Sequence, residues 1–104
     1  MGTIPGQMAL TYGTEISFRL GPGHAEEARG IARRLAAAAD GCREHVLFVD
    51  DERGEYGCLA VWDEASDSAV FTSSTLLADE LQRLAGILGK EPRVRSYEME
   101  YQRR

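Results

Sequence analysis

Apolar positions along this chain recur with two periods, and the switches between them divide it into elements. Ile16, Phe18 and Leu20 alternate with Glu15, Ser17 and Arg19, which predicts a half-buried strand from position 14. The glycine–proline–glycine run at 21–23 ends it. Ala28, Ile31, Ala32, Leu35 and Ala39 then recur at steps of three and four, predicting an amphipathic helix over 25–40. Glu26 and Glu27 fall in its first turn, where negative charge suits the helix dipole, and Gly41 supplies the stop. Two nearly continuous apolar runs, 45–49 and 57–62, flank a polar tip and predict a β-hairpin. Strands of that composition are buried on both faces. Helices on one side of a small sheet leave its other side bare, so the hairpin calls for a partner.

The next segment returns to the helical period. Leu77, Leu81, Leu84 and Leu88 form a stripe with Leu76 and Ile87 beside it, and Ser66 and Asp67 are the expected N-caps. The Thr-Ser-Ser-Thr run at 72–75 predicts a kink or a division into two pieces, and Gly89 and Pro92 end the segment. A final strand is predicted over 93–101, with Arg95, Tyr97, Met99 and Tyr101 alternating against Val94, Ser96, Glu98 and Glu100. Residues 1–13 contain Gly2, Pro5 and Gly6 without a clear period and are expected to be a flexible arm, leaving 14–104 as the domain. The order β-α-β-β-α-β is the ferredoxin-like plan: an antiparallel four-stranded sheet with two helices on one face, an α+β fold.

Composition narrows the function classes. A chain of 104 residues is one domain. Its net charge of -5 argues against a nucleic-acid surface, which requires clustered Lys and Arg. No segment approaches the roughly 18 consecutive apolar residues of a membrane span. The first residues lack the basic start and long apolar run of a secretory signal, so a cytoplasmic location is expected. The two cysteines, Cys42 and Cys58, make no disulfide framework. A hairpin folded about Glu52 and Arg53 sets Cys58 opposite a residue near Leu47, too far from Cys42 to bridge, so two free thiols are expected. His24 and His45 lie in different elements, and no metal constellation is visible.

Four segments, in order, carry a resemblance: LGPGHAEE after the first strand, ADGC between helix and second strand, LAVWDEASD at the end of the third strand, and EPRVRSYEM for the last. Together they resemble the antibiotic biosynthesis monooxygenase-like family over about residues 14–101. The resemblance implies a homodimeric α+β barrel, in which two such sheets meet face to face and so supply the cover that the apolar hairpin calls for. It also implies a small hydrophobic ligand, aromatic or polyketide-like. The family's activities include cofactor-independent oxygenation, heme degradation and isomerisation of small signalling metabolites, and a fold does not choose among them. A non-catalytic ligand-binding or interaction module is the alternative class.

The heme-degrading relatives use an asparagine, a tryptophan and, after the tryptophan, a histidine. This chain has no asparagine, both its histidines precede Trp62, and the segment where the family's histidine falls reads SAVFTSS. Only Trp62 is retained, so that chemistry is not expected. Oxygenation without metal, flavin or other cofactor asks less: a dry pocket and a proton acceptor or donor near the reacting carbon. His45 and Tyr56 are the candidate catalytic groups, with Tyr12 and Tyr97 as further hydroxyls, and His45 has the best placed ordinary pKa, near ~6.5. Trp62, Cys58, Phe71, Arg95 and Tyr97 are the candidate ligand contacts, with Arg95 or Arg19 suited to an anionic substrate oxygen. Each has a plainer reading. His45 is a structural strand histidine, the arginines pair with Glu15, Glu98 or Glu100, and Cys58 is a small core hydrophobe. For Trp62 two readings stay open and overlap: a core anchor with its N–H bonded to a neighbour, and one wall of a cleft beneath the second helical segment.

Overall fold

The computed structural model describes residues 10–102. Strand β1 (Leu10–Arg19) is followed by α1 (Ala25–Ala38), the hairpin β2 (Glu44–Asp50) and β3 (Glu55–Trp62), α2 (Ala65–Thr72), α3 (Thr75–Leu88) and β4 (Arg93–Glu100). The strands form one sheet in the order β2-β3-β1-β4, with every neighbouring pair antiparallel. This is the ferredoxin-like α+β plan predicted from the periodicity. β1 begins at Leu10, so residues 10–13 belong to the sheet and not to the expected arm; residues 1–9 lie outside the described residues.

Three helices, not two, cover one face. The second helical segment divides at Ser73 and Ser74, and the Ser74 side chain caps α3 by accepting a hydrogen bond from the Leu77 N–H at 3.1 Å. The expected caps of α2, Ser66 and Asp67, lie inside its first turn; Glu64 holds the cap position. α1 ends at Ala38, two residues earlier than its apolar stripe suggested, and Gly41 turns the chain at φ 85. Gly89 ends α3 in the left-handed conformation, as its position predicted.

The strand register assigns side chains to faces. On the helix-covered face lie Tyr12, Thr14, Ile16 and Phe18 of β1, and Tyr56, Cys58, Ala60 and Trp62 of β3. Ile16, Phe18 and all four β3 residues are buried against Ile31 and Leu35 of α1, Phe71 of α2, and Leu77 and Leu84 of α3. The opposite face has no helix. There Val46 and Phe48 of β2 stand 41% and 43% exposed, while Leu59 and Met99 close to 2.9 Å over the position where Gly13 lacks a side chain. The third strand is therefore buried on both sides, as its composition predicted. The second is an edge strand left half bare within one chain.

Candidate functional site

β3 carries two aromatic side chains at the ends of the covered face. At one end, Tyr56 is buried and stacks on Phe18 with ring centroids 6.1 Å apart. Its hydroxyl donates toward Asp51 Oδ1 at 2.7 Å and toward the Gly21 carbonyl at 3.1 Å, and accepts from the His24 N–H at 3.1 Å. Asp51 also receives the Gly23 N–H. Gly54 sits at φ 72, where an added Cβ would collide with the Gly21 backbone. This end is a clasp between the hairpin tip and the turn before α1. Burial, then the hydrogen bond to Asp51, pushes the Tyr56 hydroxyl above its ordinary pKa. The polar hairpin tip is thus a structural partner.

At the other end, Trp62 is 2% exposed and packs on Phe71 at a centroid distance of 5.2 Å. Its Nε1–H donates to Thr14 Oγ1 at 3.2 Å, and Thr14 Oγ1 lies 2.7 Å from Ser68 Oγ on α2. All three residues are buried. Ser68 is also part of the lining of an open cleft of about 390 Å³ between α2 and the β1–β4 half of the sheet. Tyr12, Ala69, Thr72, Ser96, Tyr97 and Glu98 complete most of that lining. Tyr12 and Glu98 are cross-strand partners, which brings a phenol and a carboxylate to the same wall.

The predicted site residues do not converge. His45 pairs with Ala60 in the hairpin and Tyr56 with Val49, so the two catalytic candidates stand four residues apart along the strands, ~13 Å at ~3.3 Å per residue. His45 is half-buried and burial lowers its pKa. Arg95 and Tyr97 belong by register to the open face, opposite Trp62, and the Tyr97 hydroxyl donates to Glu15 at 2.8 Å; Tyr97 nevertheless borders the α2 cleft, the one predicted ligand contact that does. Glu15 takes that bond, and Arg19 pairs with Glu55 at 3.3 Å, so neither strand arginine forms the pair expected of it among the described residues. Trp62 corrects the expectation that it walls the cleft: Thr14 and Phe71 seal it, and it reaches the cleft only through Thr14 and Ser68. Phe71 and Cys58 are sealed with it, and burial pushes the Cys58 thiol up to about 12. Cys58 faces Leu47, and both cysteines are free.

Ser68 and Glu98 are the cleft residues that sequence reasoning missed. Ser68 lies in the SAVFTSS segment, which was examined only for a histidine, and Glu98 on a strand where alternation alone did not say which side the helices take. A larger hollow of about 620 Å³ opens at the Tyr56 end. In its lining Arg19 pairs with Glu55 and Tyr56 is held within the clasp, while Lys90, Glu91 and Arg93 form no ion pair among the described residues; the α2 cleft is the better candidate site because a buried serine opens onto it beside the aromatic core. Among the described residues no three His, Cys, Asp or Glu side chains form a metal-ligating group, and no helix is long and apolar enough to cross a membrane.

No protein-family model matches the chain, and no curated protein matches it significantly. Solved structures do match. A candidate antibiotic biosynthesis monooxygenase from Deinococcus radiodurans superposes with a TM-score of 0.65 at 17% identity, covering 91% of this chain and 96% of that one. SnoaB, a cofactor-independent oxygenase from Streptomyces nogalater, gives a TM-score of 0.62 at 15% identity over 92% and 96% of the two chains. A conserved protein from Methanosarcina mazei gives 0.65 at 15% identity over 86% and 92%. At such identities the likeness is one of architecture. The chain has the fold of the antibiotic biosynthesis monooxygenase-like proteins.

Proposed function

We propose that this protein binds a hydrophobic, oxygen-bearing aromatic molecule of polyketide type in the α2 cleft and oxygenates it without metal or flavin. The observation that carries the reading is the cleft itself, where a buried serine and a Tyr12–Glu98 wall adjoin the aromatic core. The shared fold of SnoaB, a cofactor-independent oxygenase, supports it. The reaction asks for an electron-rich substrate that is itself the reductant. An anthrone loses a proton to the Glu98 carboxylate, and the resulting anion gives one electron to dioxygen. The two radicals combine at carbon, the peroxide anion takes the proton back from Glu98, and the resulting hydroperoxide loses water to leave the quinone. One dioxygen is consumed, with one oxygen atom retained and one released as water. The protein's part is to hold the ring and to accept and return the proton.

Anthrone oxidation followed with an oxygen electrode, chelator present, tests this. The expected result is saturable oxygen uptake above the uncatalysed rate, with one quinone per dioxygen, strongly reduced in Glu98→Gln. Saturable binding of anthrone without uptake would leave a ligand-binding module, a reading that the solvent exposure of Glu98 favours. Absence of both would overturn the cleft as a site.

The same reading includes a homodimer formed through the helix-free face. Exposed Val46 and Phe48 beside Leu59 and Met99 support it. Sedimentation at micromolar concentration is expected to give a dimer, and Phe48→Glu a monomer; a monomeric wild type would refute this assembly. Two unbridged thiols support a reducing, cytoplasmic setting.

A further inference from the structure

The geometry points to a directed hydrogen-bond relay, Trp62 to Thr14 to Ser68, that makes Ser68 a donor into the α2 cleft and selects a ligand presenting an acceptor oxygen there. This inference rests on the reading of that cleft as the ligand site. It follows from proton accounting. The indole N–H can only donate, so Thr14 Oγ1 is an acceptor from Trp62. The contact between Thr14 Oγ1 and Ser68 Oγ carries one proton, from one side or the other. If Ser68 donated, the Thr14 hydroxyl would receive two bonds and have no acceptor for its own proton. Thr14 is 1% exposed, so that proton would be buried without a partner. If Thr14 donates, the indole N–H and the Thr14 hydroxyl are both satisfied, and the proton left over is that of Ser68, which lines the cleft.

The neighbours of Ser68 show that this free proton is particular to it. Thr72 and Ser73 return their hydroxyl protons to the Ala69 carbonyl, at 3.1 and 2.9 Å. Ser68 makes no such bond to its own helix; its described partner is Thr14. Each link donates in the same direction, so each strengthens the next. A carbonyl or phenolate oxygen in the cleft would complete the relay. A bare hydrocarbon of the same outline would leave it unfinished. Thr14 and Trp62 are thus positioning residues: they touch no ligand, and they fix which way Ser68 points.

The probes are 1,4-naphthoquinone, which offers only acceptors, and naphthalene, which offers none. Binding to protein labelled with ¹⁵N in its single indole is followed by NMR, for wild type, Ser68→Ala, Thr14→Val and Thr14→Ser. Quinone is expected to move the Trp62 Nε1–H resonance downfield although the indole is sealed from the cleft, and naphthalene is not. Ser68→Ala is expected to abolish that shift and weaken quinone binding about three- to tenfold, leaving naphthalene affinity unchanged. Thr14→Val is expected to abolish the shift and Thr14→Ser to restore it. Should Thr14→Val not fold, Ser68→Ala carries the test alone, since it removes a single hydroxyl. Quinone binding with an unmoved indole resonance, or with equal affinity in Ser68→Ala, overturns the relay while leaving the cleft. Failure of both probes to bind overturns the relay together with the cleft.

Discussion

Tyr56 and Trp62 stand on the same face of the same strand, six residues and ~20 Å apart, both almost wholly buried. Each is packed on a phenylalanine and each has its polar atom bonded. They differ in where the hydrogen bonds lead. From Tyr56 they run into backbone and a carboxylate of two turns, and end there. From Trp62 they run through two hydroxyls to a cleft wall. A closed network rigidifies a loop, whereas one ending in a free donor has something left to offer a ligand. Burial and residue type alone do not separate the two ends; the terminus of the network does.

Trp62→Ala is expected to give the largest effect, a loss of ~3–5 kcal/mol in urea unfolding, because a sealed ring leaves a void that Phe71 cannot fill. A loss below about 1 kcal/mol would mean that the ring stands in an open pocket, as one sequence reading had it. Tyr56→Phe keeps the ring and removes only the hydroxyl, taking one hydrogen-bond partner each from Asp51, the Gly21 carbonyl and the His24 N–H. The expected cost is ~1–2 kcal/mol, with faster hydrogen exchange at His24 and no change in quinone affinity. If Tyr56→Phe altered quinone binding as much as Ser68→Ala, the functional difference between the two ends would collapse.

The architecture was legible because it depends on periods. Alternation in β1 and the leucine stripe of α3 each state a buried face without reference to distant residues. The register was legible where a tight hairpin sets it, which is why Cys58 falls opposite Leu47. The site was not, for two reasons. A strand's period tells which residues share a face, not which face the helices take, so Arg95 and Tyr97 were grouped with Trp62 although they lie on the opposite side. Second, chemistry was sought in the larger residue types, while the groups that meet at the cleft include a serine 54 positions from its threonine partner. No local pattern announces a contact of that span.

The smallest expected effect concerns His45, whose partner across the hairpin, Ala60, lies between the two aromatic ends. Its ring is half-buried and makes no side-chain hydrogen bond among the described residues, so burial lowers its pKa below the ordinary ~6.5. Above that value neither the folded nor the unfolded histidine carries a proton, and folding is indifferent to it. As pH falls through ~6.5 the unfolded chain binds the proton first, and stability declines until the folded histidine is protonated as well. Urea midpoints between pH 7.5 and 5 should therefore fall more steeply in wild type than in His45→Gln, with the two slopes equal above pH 7. The change is expected at both ends of β3 alike, since the histidine belongs to neither network. If quinone affinity instead followed the same titration and lost it in His45→Gln, His45 would be acting on the ligand, and the site would have to extend along the whole covered face of β3.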